Sequence, residues 1–493
     1  MADPVGTAAA SPAPPGAARL SPQGLAGLPA EVTQPGYDRR SQRRGIVHLG
    51  LGAFHRAHQA LYTDAAMAAG DRHWSITGVS LRSARVRDQL APQDCLYTVT
   101  ESGPGGDRTR LVGALGEALV ASEDPARVAA AIADAGTRIV SITITEKGYL
   151  RGADGALDLA GPDLGHDLDA RRAPRTLYGL LAAGLAQRQQ RGLPGLTVLC
   201  CDNLADNGRV VAGLLEQFLE RRDPLLARWF RTECTCPATM VDRIVPATTQ
   251  ASLEGLQQRL GRRDEAAVFT EPFSQWVIED RFAGPRPRWE AAGAQLVCEV
   301  APYERAKLRM LNGAHSALAY IGLLRGHEYV HQAIADPVLL ELVNRLMRTE
   351  AALGIEPAPG QSLESYADSL LQRFANGARP HALSQIAVDG SQKIPQRWLA
   401  TLRARTGTQC EALLTALAAW IAFVRGDRFT VQDPMAAELA ALWREAGGDG
   451  IAAALFGPGG RLAQHWTASP ADLARVRAAM AQFTGEAGAA GVR

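Results

Sequence analysis

The chain has almost no charge of one sign to spare. Its 52 basic and 51 acidic residues leave a formal net charge of +1. A protein that gathers nucleic-acid phosphates carries a basic surplus, so that class of partner is disfavoured. No apolar run reaches the length of a bilayer span, and the start has no apolar signal core. Neither a membrane nor export is expected, and a reducing cytoplasm is the natural compartment. Cysteine is scarce too. The seven residues, Cys95, Cys200, Cys201, Cys234, Cys236, Cys298 and Cys410, are odd in number within 493 positions, which argues against a disulfide framework. Cys200-Cys201 and Cys234-Thr235-Cys236 raise the question of zinc. Adjacent and one-apart thiols suit a tetrahedral site less well than two-residue spacing, and no metal is expected. No internal repeat is visible.

What is present, 46% hydrophobic and 21% charged residues, suits a globular protein of two or more domains. Residues 1–36 are rich in Ala, Pro and Gly with little apolar periodicity, and read as a flexible leader with one short helical turn. Strands are expected over Gly45–Gly50, Trp74–Leu81, Arg138–Thr145 and Leu196–Cys201, each apolar along its length as two-sided burial requires. Helical segments such as Pro125–Asp134 and Gly208–Arg221 alternate with them, the pattern of a largely parallel sheet. Beyond about residue 300 the texture is helical, over Tyr303–Leu324, Pro337–Glu350, Ser362–Ala375, Gln409–Val424 and Asp433–Glu445. The expected architecture is α/β: a Rossmann-type dinucleotide-binding domain over 37–297 and an all-α domain over 298–485, with the active site in the cleft they form.

Gly50-Leu51-Gly52 follows a strand and precedes a helical stretch. Gly50 permits a tight turn, and Gly52 lets the backbone approach a pyrophosphate. The third glycine of the fingerprint is missing, since His55 holds its place. Also missing is the acid that normally closes the second strand and binds the ribose hydroxyl. Val79-Ser80-Leu81-Arg82-Ser83 has none, and Arg82 and Arg85 either meet a 2′-phosphate or form a solvated basic loop. NAD and NADP both stay open on these residues.

The most informative stretch is Lys307-Leu308-Arg309-Met310-Leu311-Asn312-Gly313-Ala314-His315. On an α-helix the offsets of five and eight residues are about 140° and 80° of rotation, so the amine, the amide and the imidazole share one broad face. Reduction of a carbonyl needs such a set: a proton donor, an amide to steady the oxygen, and a group to hold the substrate. Taken singly, Lys307 is also readable as a surface lysine, Asn312 as a cap and His315 as an interior histidine. Asn203 lies just past a strand's carboxyl end, where open α/β sheets bind ligands, and offers a second amide.

With these segments together, the chain resembles the polyol-specific long-chain dehydrogenase family. The residues that carry the resemblance are Ile46–Gln59, which includes Gly50, Gly52, Phe54, His55 and Arg56 as cofactor contacts; Thr143–Tyr149; Cys201–Asn203; Met240–Pro246; and Lys307–His315. The resemblance implies a zinc-independent, NAD-dependent oxidoreductase. It implies Lys307 as acid/base, Asn203 and Asn312 as the pair that holds the alkoxide, and His315 as a substrate contact. Glu271–Asp280, Lys307–Gly313 and Gln385–Arg397 look closer to the fructuronate reductase branch, and the mannitol branch tends to have Arg where this chain has Gln385. A uronate carboxylate wants a cation, for which Lys393 and Arg397 are candidates, with Asp242 a further substrate contact. The expected reaction is D-fructuronate to D-mannonate with NADH, with mannitol, arabinitol or sorbitol oxidation as the alternative. The partner is a small sugar acid or polyol, and a monomer or weak homo-oligomer is expected.

Overall fold

A computed structural model describes residues 17–152, 154–378, 380–405 and 407–484. It divides between Val300 and Ala301 into two compact units, just past the expected boundary at 297.

In chain order, unit 1 runs β1 (Arg44–Leu49), α1 (Ala53–Ala57), α2 (Gln59–Ala68), β2 (Ser75–Ser80), α3 (Arg85–Leu90), β3 (Tyr97–Gly103), β4 (Gly106–Val112), β5 (Leu115–Val120), α4 (Pro125–Ile132), β6 (Ile139–Ile142), α5 (Pro162–Asp167), α6 (Leu177–Gln190), β7 (Thr197–Cys200), α7 (Asn207–Arg222), α8 (Pro224–Glu233), β8 (Thr239–Asp242), α9 (Gln250–Leu260), β9 (Val268–Thr270), β10 (Gln275–Glu279) and β11 (Gln295–Val297). The central sheet has the order β5-β2-β1-β6-β7, parallel throughout. β1, β2, β6 and β7 are buried on both faces, which is why they read as largely apolar runs, while the edge strand β5 is partly exposed. The order turns back between β1 and β6, so the crevice outside their carboxyl ends is the ligand position of a doubly wound sheet. Two small sheets, β4-β3-β9 and β11-β10-β8, complete the unit. Helix starts are fixed locally: Asp124 accepts from the Arg127 amide at 2.9 Å and Asp223 from the Leu225 amide at 3.0 Å, each with a proline in the first turn.

Part of the expected leader is folded. Residues 1–16 lie outside the described residues, but from Ala17 the chain packs. Leu20, Leu28 and Val32 are buried with Leu96, Leu111, Leu256 and Phe269. The Leu20 amide donates to the Arg263 carbonyl at 2.8 Å, and Thr33 bridges to Arg110 on β4. This segment docks single apolar residues onto a surface that the rest of the unit provides. It therefore needs no periodicity of its own, and composition alone made it look unstructured.

Unit 2 runs α10 (Ala301–Ala306), a π-helical turn (Lys307–Asn312), α11 (Gly313–Leu324), α12 (Val330–Ala335), α13 (Pro337–Arg345), a second π turn (Leu346–Ala351), α14 (Leu363–Phe374), α15 (Leu383–Ile386), α16 (Gly390–Ile394), a third π turn (Pro395–Leu399), α17 (Ala400–Ala404), α18 (Glu411–Phe423), α19 (Ala436–Phe456) and α20 (Pro470–Thr484). Its core is continuous around α11 and α18, where Leu318, Tyr320, Leu417 and Trp420 are almost wholly buried. Glu350 in the second π turn accepts the Ala412 and Leu413 amides, both at 2.8 Å, and so caps α18 from within the core.

Candidate active site

Unit 1 places its polar chemistry at the carboxyl ends of the parallel strands. Gly50 has φ +103°, and a Cβ there would stand 1.8 Å from the Thr143 carbonyl oxygen, so this turn accepts only glycine. The Gly50 and Leu51 amides both donate to the Val79 carbonyl, at 2.8 and 3.0 Å. A Cβ on Gly52 would meet nothing closer than the Gly50 oxygen at 3.7 Å, which leaves open space over the turn for a phosphate to approach. A cleft of about 600 Å³ follows these strand ends, and residues 50–54, 80–83, 143–145 and 201–203 form much of its wall. Both its size and its place fit a dinucleotide.

Beneath the turn, His48 Nε2 lies 2.9 Å from Thr143 Oγ1 and 3.1 Å from the Gly50 oxygen, while Nδ1 lies 2.9 Å from Ser141 Oγ. The His48 and His55 rings stack with centroids 3.3 Å apart. Burial pushes His48 down to about 3 and holds His55 well below the usual imidazole range, so both are neutral.

The loop after β7 carries Asn203 on the cleft wall and is pinned from two sides. Asp202 Oδ2 accepts the Ile144 amide at 2.9 Å and the Tyr149 hydroxyl at 2.5 Å. Burial pushes that carboxyl up to about 6. Asn207 Nδ2 donates to the Asp202 carbonyl at 3.0 Å and to the Thr239 carbonyl at 2.9 Å, while its Oδ1 accepts the Thr239 amide at 2.9 Å.

In unit 2, Lys307 opens the first π turn. Here the 100° step per residue fails: the Gly313 amide donates to the Leu308 carbonyl, five residues back. The wider turn brings Lys307 and Asn312 closer to one line than an α-helix would, tightening the grouping expected from the offsets. Lys307 is 9% exposed and His315 8%. His315 packs on Phe374 and His381, with ring centroids 4.7 and 5.6 Å away, and its Nε2 has no hydrogen-bond partner. Burial, then His381 and two arginines, hold it well below the usual imidazole range. The other two π turns pack against the first. From the third, Arg397 Nη1 donates to Ser316 Oγ at 2.6 Å and reaches the Asn312 carbonyl at 3.4 Å. Burial lowers its guanidinium to about 10.

Two domain patterns match, the mannitol dehydrogenase Rossmann domain over residues 44–291 and the mannitol dehydrogenase C-terminal domain over residues 299–457. The uncharacterized oxidoreductase YeiQ of Escherichia coli is 44% identical over 418 residues, 83% of this chain and 86% of that protein. The D-mannonate oxidoreductase of Escherichia coli is 41% identical over 419 residues, with the same coverage of 83% and 86%. The chain belongs to the mannitol dehydrogenase family. Among solved structures, the mannitol 2-dehydrogenase of Pseudomonas fluorescens, in ternary complex with NAD and D-mannitol, superposes with a TM-score of 0.79 at 36% identity, over 95% of this chain and 96% of that one. This member of the mannitol dehydrogenase family is therefore an oxidoreductase, with the expected α/β Rossmann-type unit and all-α unit.

Of the residues expected to hold the cofactor, Gly50, Gly52 and Phe54 line the cleft and His55 and Arg56 do not. Those two lie on the inner face of α1. Arg56 donates to the Ala266 and Gly52 carbonyls and sits over the Tyr97 ring, so its work is to brace the turn from behind. Asp242 is buried at the end of β8, next to Val241, which does reach the cleft. Lys393 lies one helical turn before Arg397, but its Nζ donates to the Val388 carbonyl at 2.6 Å, with Asp389 and Asp433 nearby. Reasoning from sequence missed Asp202 and Asn207 as supports of Asn203. The signal was available, since polar residues just past a parallel strand's carboxyl end are placed to serve a ligand. Among the described residues, no group of three or more His, Cys, Asp or Glu is placed to hold a metal ion.

Proposed function

We propose that this protein is an NAD(H)-dependent fructuronate reductase, interconverting D-fructuronate and D-mannonate. When bound, NAD(H) supplies a hydride to, or accepts one from, the carbon that carries the reacting oxygen. The backbone at Gly50–Gly52 holds the pyrophosphate, and residues 143–145 and 201–203 form the wall further along the strand ends. Lys307 gives its proton to the ketone oxygen during reduction and takes one from the alcohol during oxidation. Asn203 and Asn312 donate to that oxygen as charge develops on it. His315 Nε2, buried and without a partner, is available for a substrate hydroxyl.

The observation that carries the substrate assignment is Arg397. Its guanidinium is largely desolvated and bonds neutral oxygens of Ser316 and Asn312, and no carboxylate pairs with it among the described residues. A cation in that state is best satisfied by a ligand anion. The likeness to a D-mannonate oxidoreductase supports the same reading. Oxidation of a neutral polyol is the second reading, supported by the likeness to a mannitol 2-dehydrogenase along nearly the whole chain. Following NADH oxidation with fructuronate, tagaturonate, fructose and xylulose separates the two. Efficiency on fructose equal to that on fructuronate would overturn the uronate assignment.

A further inference from the structure

Two cations flank Lys307 in the chain, and the proposed reaction uses neither. Arg305 lies on α10 and Arg309 in the π turn that Lys307 opens. Four positions apart, their side chains rise on one face, about half a turn round the helix from Lys307. Like charges at that spacing repel. Arg403 of α17 is a third cation beside Arg309. The short helical segment Ala352–Gly354 brings the three together. It packs against α17, and its Gly354 carbonyl accepts from Arg309 Nη1 at 2.5 Å. A Cβ on Gly354 would stand 2.3 Å from that nitrogen, so the missing side chain is what seats the guanidinium.

Among the described residues, none of the three takes a carboxylate partner. Arg305 is half-buried, and its Nε is enclosed with no hydrogen-bond partner. Arg309 is half-buried and serves one neutral carbonyl. Arg403 is exposed, as is Glu356, two residues past Gly354, which pairs with none of them. Unit 2 does not lack acids for its other arginines: Arg348 pairs with Glu364 and Asp368, and Arg405 with Asp472. Burial, then Arg305 and Arg403, lower the Arg309 guanidinium from its ordinary range. The cluster thus carries both desolvation and repulsion with nothing in the chain to offset them. A dianion with three acceptor oxygens relieves both, and a phosphate matches three guanidinium forks better than one carboxylate does.

We propose that Arg305, Arg309 and Arg403 form a site for a phosphate dianion, free or as a monoester, on the face of unit 2 behind the π turn of Lys307. The site is separate from the dinucleotide cleft and does not depend on the identity of the sugar. Because Arg309 belongs to the turn that carries Lys307, an anion bound there steadies that turn from its far side.

The test is calorimetric titration of the intact protein at constant ionic strength with inorganic phosphate, glycerol 3-phosphate and acetate, without and with saturating NAD⁺. Both phosphates should bind, acetate at least about tenfold more weakly, and NAD⁺ should leave phosphate affinity within about twofold. Equal affinity for the two phosphates would assign recognition to the phosphoryl group, and tighter binding of the ester would add a contact to its carbon skeleton. Arg403→Gln and Arg305→Gln should each weaken phosphate at least about tenfold. In phosphate-free buffer Arg403→Gln should melt no lower than the unmodified protein, since it removes a repulsion. A lower melting temperature would show that Arg403 serves the fold, and the proposal would fail. It fails equally if phosphate does not bind at about 10 mM, if acetate matches it, or if the variants bind it unchanged. Phosphate binding that NAD⁺ abolishes would place the ion in the dinucleotide cleft, which also overturns the proposal.

Discussion

Arg397 places its guanidinium 2.6 Å from the hydroxyl of Ser316, one position past His315, and takes no acid as a partner among the described residues. The pair joins the third π turn to α11, the helix that the π turn of Lys307 leads into. Arg397→Met should therefore cut kcat/KM for fructuronate at least about tenfold, because the variant loses a charge-assisted bond to the carboxylate, while a neutral ketose is affected less. Lys393→Met should have the smaller effect, since its ammonium already serves the Val388 carbonyl. Steady-state kinetics on fructuronate and fructose with both variants decide the order. A larger loss in the lysine variant would move the carboxylate contact to Lys393.

Lys307→Ala should lower turnover by ~10²–10⁴-fold, as expected for loss of a positioned acid/base. Binding of the dinucleotide, measured by fluorescence, should stay near normal, because the residues that line its cleft all belong to unit 1. Turnover within a few-fold of the unmodified enzyme would remove Lys307 from the proton-transfer role.

Asn203→Ala and Asn312→Ala should each reduce kcat more than they raise KM. A donor aimed at developing charge acts mainly in the transition state and contributes roughly 3 kcal/mol. The measurement is the split between kcat and KM in each variant. A variant that raises KM alone would identify its residue as a ground-state contact.

How legible these features were in the sequence differs from element to element. β1, β2, β6 and β7 were readable to within a few residues at each end because burial on both faces leaves an apolar run. The hairpin of β3 and β4 was not. Thr98, Thr100 and Ser102 of β3 are buried, yet they are polar, and their burial is offset by long-range bonds such as that from the Thr98 hydroxyl to Asp264 at 2.7 Å. The helix expected over Asp433–Glu445 does end there, and a second helical stretch that the sequence did not reveal runs on to Phe456. Gly447, with φ +61°, makes the break between the two stretches. The identities of Lys307, Asn312 and His315 could be read, but nothing in their spacing signalled a π turn. Arg397 was legible as a cation. That no carboxylate among the described residues pairs with it is a fact of three dimensions, as is the turn of His55 and Arg56 toward the interior.

Asp202 gives a pH-dependent prediction. Its carboxyl sits at about 6 in the folded protein because burial penalises the charge, against 3.8 when unhindered. A carboxyl raised on folding contributes stability that is present below the unfolded value and lost as pH rises through the folded one. Its window is therefore about pH 4 to 7, and at pH 8 the fold bears the cost of a buried charge. Asp202→Asn removes the titration. It can keep both contacts, since the Ile144 amide and the Tyr149 hydroxyl fall on a single oxygen, which the amide carbonyl can replace. The unmodified protein should thus gain stability relative to the variant on going from pH 8 to pH 5, by roughly 1 kcal/mol, or about 2 °C in Tm. Asp202→Ala, which loses both bonds, should instead loosen the loop that carries Asn203 and lower kcat even at its most stable pH. Thermal unfolding of the unmodified protein and the Asn variant at pH 5, 6.5 and 8 is the measurement. A Tm difference that stays constant across that range would show that Asp202 does not titrate there.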